Sequence, residues 1–200
     1  MQLIFKHVAR HFAERRVLED ISFAISGEKN LVVYGPNGSG KSTLLKIACS
    51  LLRPTSGAVI FQHNGNEYSG ADILPYVGYV APDLRLYQEL TAFENLGFFA
   101  VLAGLADFDA GALLDRCGLA GRGNDTVSAF SSGMKQRLKL ALAILKEPPL
   151  LILDEPSANL DSDGRLLVDK IISGHKGICL VATNLEDELK YGDITLRLGR

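Results

Sequence analysis

The octapeptide GPNGSGKS, Gly35 to Ser42, has the spacing G-x-x-x-x-G-K-[ST]. Its chemistry is the binding of a phosphate chain. Gly38 and Gly40 let the backbone curl, so that N–H groups converge on oxygens carrying several negative charges. Pro36, Asn37 and Ser39 complete the loop. Lys41 places a point charge between the outer phosphates, Ser42 offers a hydroxyl to Mg²⁺, and Thr43 can reach an inner phosphate. A glycine-rich turn with an incidental lysine is the bland alternative. Context speaks against it. The apolar run NLVVYG (30–35) precedes the loop and an apolar-faced helix follows, so the helix N-terminus adds its positive dipole end.

Three further stretches pair with this loop. LLILDEP (150–156) is an apolar strand ending in two acids. Asp154, at the strand end, can hold Mg²⁺ through water. Glu155 stands one residue further on, where it can orient or deprotonate an attacking water. FSSGMKQRL (130–138) puts Ser131, Ser132 and Gly133 at the start of a helix. That is either a second anion-binding end or an ordinary serine N-cap. LVATNLEDEL (180–189) reads as a buried strand that stops at Thr183 and Asn184. In an open α/β sheet, ligands sit at the C-terminal ends of strands. Asn184 can therefore face a phosphate, or cap a helix through LEDELK, or do both.

The elements that must position these residues follow from periodicity. LIF (3–5) and VLEDISFAI (17–25) alternate nearly as strands do, and 30–35 suits a central strand. Leu44, Leu45, Ile47, Ala48 and Leu51 give the next helix its apolar face. RPTSG (53–57) is a turn, with short strands near 58–62 and 77–80. Thr91 and Glu94 stand in capping-box spacing at the head of a helix over 91–104, and 108–118 is another helical stretch. LKLALAILK (138–146) is a buried helix. Strands return at 150–154, 177–183 and 193–198, with a helix near 162–173. The expectation is one α/β domain over 1–200: a phosphate-loop sheet core (1–82 and 134–200), an antiparallel β edge, and an inserted small helical subdomain over about 83–133.

Composition agrees with a compact domain. At 47% hydrophobic and 22% charged the chain can bury a sizeable core. A net charge of -2 argues against binding nucleic acid by bulk charge. Cys49, Cys117 and Cys179 lack CxxC spacing and read as reduced, mostly buried thiols. The N-terminal decapeptide has no apolar signal region, and no apolar run approaches the roughly 20 residues that span a bilayer. If the protein serves a membrane, another chain must cross it.

Together these pieces resemble the nucleotide-binding subunits of ATP-binding cassette (ABC) proteins, in the expected order along the whole chain. GPNGSGKS looks like the Walker A loop, LLILDEP like Walker B with its catalytic glutamate, FSSGM like the LSGGQ signature and SANLD (157–161) like the D-loop. The resemblance implies a cytosolic ATPase, peripheral on the inner face of the cell membrane through a transmembrane permease subunit. It implies a head-to-tail homodimer or heterodimer, with each ATP held between one phosphate loop and the other subunit's signature helix. Phe12 aligns with the family's adenine-stacking aromatic; a core aromatic is the alternative. The small size and the wording of LTAFENL and SSGMKQR look like bacterial export-type cassettes, including haem-exporter-like ones.

Three departures matter. Pro82 stands where the family's Q-loop glutamine is usual, with Asp83 a substitute and Gln88 too far along. Ser132 and Met134 replace glycine and glutamine in the signature. Asn184 stands where the switch histidine is usual; it can donate one amide hydrogen bond but cannot become cationic. The expectation is ATP binding retained and hydrolysis slowed. A soluble ABC ATPase and a nucleotide-gated clamp are the competing readings.

Overall fold

The computed structural model describes residues 1–199. In chain order it runs β1 (Gln2–Phe12), β2 (Arg15–Ser26), β3 (Asn30–Tyr34), α1 (Lys41–Ala48), β4 (Ser56–His63), β5 (Asn66–Ser69) and β6 (Val77–Val80). Then follow α2 (Ala92–Leu102), α3 (Ala110–Arg116), α4 (Ser132–Ile144), β7 (Leu150–Asp154), α5 (Ser162–Gly174), β8 (Ile178–Thr183) and β9 (Ile194–Arg197). Short 3₁₀ turns cover Gly70–Tyr76, Val127–Ala129 and Glu186–Tyr191.

The apolar runs of β3, β7 and β8 have one cause: these strands are covered on both faces. They lie inside a parallel sheet of order β6-β7-β8-β3-β9. Leu150 and Ile152 of β7, Leu180 of β8 and Leu31 and Val33 of β3 pack into one core, shared with α1 and the second sheet. Their neighbours Leu151, Leu153, Cys179, Val181 and Val32 pack into the other, under α2 to α5. Each such side chain contributes about 1.5–3 kcal/mol on burial. The antiparallel part takes the form of a separate four-stranded sheet of order β2-β1-β4-β5.

This second sheet departs most from the sequence expectation. β1 extends from residue 2 to 12, although only 3–5 read as a strand. Register shifts between Phe5 and Val8 and between Val8 and Arg10 break its alternation. His7 and Asp20 sit at those bulges with φ of 50° and 48°, and bulges destroy the period of two. β5 was not expected. It pairs with β4 through the two-residue turn Asn64-Gly65, both with positive φ, a combination that favours a tight hairpin.

Between β6 and α4 the described residues hold helices and turns, with a lone bridge between Thr91 and Thr126. The Thr91–Glu94 capping box forms at the head of α2. Buried Asn95 pins the preceding loop by accepting from Tyr87 N and donating to the carbonyls of Tyr87 and Thr91. All three cysteines are free and buried. Burial pushes Cys117 and Cys179 up to about 12, so neither forms a thiolate near neutrality.

Candidate active site

Three neighbouring parallel strands, β7, β8 and β3, end at the same edge of the sheet. From β3 comes the phosphate loop, from β7 Asp154 and Glu155, and from β8 Thr183 and Asn184. Backbone bonds fix the ends to one another: Gly35 N donates to Thr183 O at 3.3 Å and Glu155 N to Ala182 O at 2.9 Å. The loop's chain path depends on its glycines, Gly38 among them with φ 80°. A Cβ on Gly35 would meet Leu198 O at 2.2 Å, and Gly40 holds φ 101° with Val17 and Leu18 against it.

Gly40 caps α1 without any side-chain cap, so the first amide donors of the helix face the loop. Lys41 is buried, and its Nζ donates to Gly35 O at 2.8 Å and Pro36 O at 3.0 Å. Those carbonyls hold the ammonium where phosphate oxygens can replace them. Asp154 is 2% exposed. Burial raises its pKa above the ordinary carboxylate range, while the Ser42 hydroxyl and the Lys41 charge pull it back. Its Oδ1 has no hydrogen-bond partner. Glu155 sits in the left-handed region at φ 50°. Such backbone strain costs of order 1 kcal/mol and clusters at functional sites.

A cleft of about 430 Å³ runs from Phe12 past Lys41, Ser42 and Thr43 to Glu155. Phe12 is 43% exposed, so it is not a core aromatic. Arg10 stacks on its ring at 4.4 Å, which leaves the other face for a ligand. Asn184 is exposed, and its Nδ2 donates to Asn37 Oδ1 of the phosphate loop at 3.0 Å. It does not cap a helix. Thr183 Oγ1 accepts from Leu185 N, and the segment after it is a 3₁₀ turn opening at Leu185.

Ser131, Ser132 and Gly133 are not part of this cleft. They line a separate one of about 400 Å³ with Arg137, Asn159 and Asp161. Ser131 caps α4 by accepting from Met134 N at 3.2 Å. Asp83 is paired with Lys46 at 2.7 Å, which holds its carboxyl below the ordinary range. Gln88 donates to Leu86 O and lines a different cleft, with Pro82 and Ser132.

Residues without a sequence signal also shape the site. Gln136, 6% exposed, donates to Pro156 O at 3.0 Å and ties α4 to the turn after Glu155. Arg137 pairs with Asp161 at 2.8 Å, tying the same helix to the D-loop-like stretch. Arg15 lines the main cleft.

Comparison with known proteins is consistent with this geometry. The family described as "ABC transporter" matches residues 18–158. The "Lantibiotic transport ATP-binding protein SrtF" of Streptococcus pyogenes is 35% identical over 192 residues, covering 94% of this chain and 82% of that protein. The "Cytochrome c biogenesis ATP-binding export protein CcmA" of Mesorhizobium japonicum is 32% identical, covering 100% of this chain and 98% of its own. A solved "Structure of ATP binding subunit of ABC transporter" superposes with a TM-score of 0.84 at 31% identity, covering 99% of this chain and 86% of that one. The chain belongs to the ABC transporter family, as a nucleotide-binding subunit of the ABC ATPase type.

Proposed function

We propose that this chain binds and hydrolyses ATP to drive a membrane transporter through closure of a head-to-tail dimer of cassettes, at a slowed rate. The observation that carries the reading is the convergence of Lys41 and Ser42, after β3, with Asp154 and Glu155, at the end of β7, across the intervening strand β8. Lys41 exchanges its two loop carbonyls for phosphate oxygens. The N-terminal amides of α1 hold the rest of the chain of phosphates. Mg²⁺ fits the donor set, because Asp154 Oδ1 is buried without a partner beside the Ser42 hydroxyl; bound there, it would neutralise phosphate charge. Glu155 takes a proton from the attacking water as ADP and phosphate separate. Asn184 donates its amide toward the outer phosphate, with a weaker grip than a cation has.

The dimer is supported by the distribution of the clefts. Ser131 to Gly133 open α4 in a cleft of their own, so a phosphate reaching them comes from a second subunit. In this reading residues 1–82 and 134–200 form the core, and about 83–133 a helical subdomain that moves on closure. The partner is a transmembrane permease, and the subunit sits on the inner face of the cell membrane through it. Relatives named as transport ATP-binding proteins support that placement. Among the described residues no helix is long and apolar enough to cross a membrane.

A second reading, a nucleotide-gated clamp that scarcely turns over, is favoured by two observations. Pro82 has no side-chain donor, and Asp83 beside it is already engaged by Lys46.

One experiment decides between them: Mg²⁺-dependent phosphate release from the purified chain, with Glu155→Gln as control. The transport reading expects release that requires Glu155 and rises more than linearly with protein concentration. ATP binding with no release above the control selects the clamp, or a cassette that needs a different partner subunit.

A further inference from the structure

The β1–β2 hairpin tip carries three arginines with three different fates. Arg10 is spent on the Phe12 ring and on Arg53 O at 3.0 Å. Arg16 pairs with Glu19. Arg15, opposite Phe12 across the tip, has no carboxylate within ion-pair distance among the described residues. Among the described residues its single side-chain hydrogen bond runs from the guanidinium to the carbonyl oxygen of Gly38, at a long 3.3 Å. Gly38 lies on the phosphate loop, and Arg15 lines the same cleft as Lys41 and Thr43.

An uncompensated guanidinium beside a loop shaped for phosphate has an obvious complement. It presents five donors in a fixed fork, which suits phosphate oxygens. Position sets which phosphates it meets. A base on the free face of Phe12 anchors one end of the ligand. Thr43 lies beyond Lys41 on the helix, on the inner-phosphate side. Gly38 lies on the other side of Lys41, toward the outer phosphates. We infer that Arg15 is a further nucleotide-binding residue, a second cation in the same chain that grips the phosphate chain beyond the α-phosphate. This rests on the nucleotide-binding reading above and goes beyond the phosphate-loop pattern, which assigns no residue before Gly35.

The test is calorimetric titration of the full chain with ATP, ADP and AMP in EDTA, which prevents turnover. Arg15 is exposed, so Arg15→Ala should fold, and a thermal melt checks this. The expected result is a loss of about tenfold for ATP and ADP, the scale of one charge-assisted hydrogen bond. AMP should change by less than about twofold, and Arg16→Ala should bind all three as the parent does. Arg15→Lys should recover part of the loss, since it keeps the charge without the fork. An unchanged affinity of Arg15→Ala for ATP overturns the inference. So does an equal loss for ATP, ADP and AMP, which would place Arg15 in support of the base. A parent chain that binds none of the three overturns the nucleotide reading itself, and this inference with it.

Discussion

The N-termini of α1 and α4 face their clefts in different ways. α1 opens at Gly40, in the left-handed region, with no side chain accepting from its first amides and with Lys41 buried beneath. α4 opens at Ser131, an extended residue whose hydroxyl already accepts from Met134 N. The first end is incomplete without an anion; the second is capped by its own chain. The contrast teaches that one charge-complementary motif can be built at two levels of need. Binding at α1 belongs to the single chain, whereas an anion at α4 adds to a helix that stands without it.

The largest expected effect tests that separation directly. Lys41→Met removes the buried cation and should lower both ATP affinity and phosphate release by at least about a hundredfold, as loss of a main phosphate contact does. Gly133→Ala acts at the other end, where an added Cβ would press on Asn159 O at 3.1 Å. It should reduce release severalfold and leave ATP affinity of the dilute chain unchanged. A fall in that affinity would show that the two ends are not independent and would break the comparison.

How much of this is legible in sequence follows from where each interaction lies along the chain. The strands β3, β7 and β8 are legible because both faces are covered, which makes their inner positions apolar. The α1 end is legible because its chemistry is contiguous, from Gly35 to Thr43. β1 is poorly legible because a bulge at His7 breaks its alternation, and a second bulge at Asp20 does the same to its partner β2. The Asn64-Gly65 hairpin carried a readable turn signal that the short, polar β5 concealed. The bond from Asn184 to Asn37 spans 147 residues, and that from Gln136 to Pro156 joins a polar helix position to a backbone carbonyl. No local pattern encodes either. Arg15 is hidden for the same reason, since its target is a carbonyl 23 residues on.

Asn184→His sharpens the account of the α1 end. The present side chain bridges to Asn37 through a neutral amide. A histidine at this exposed position is longer and can carry charge near neutrality. It should raise phosphate release by up to about a hundredfold, the scale of one transition-state donor, with ATP affinity changed little. Release that stays level or falls would mean that Asn184 serves the loop through Asn37 and not the phosphate.

The smallest effect probes the self-capped end. Ser131→Ala removes the hydroxyl that Met134 N donates to, and loss of such a cap costs about 1 kcal/mol. For a domain of this size the melting temperature should fall by about 2–4 °C. The comparison makes a sharper demand when the experiment is repeated in the Glu155→Gln background with ATP present. A phosphate delivered by a second subunit would accept from the amides that Ser131 no longer caps. The gap between Ser131→Ala and its parent should then narrow, because the ligand stands in for the missing oxygen. A gap that ATP leaves unchanged would mean that the amides of α4 never meet a phosphate, and that Ser131 is only the start of a helix.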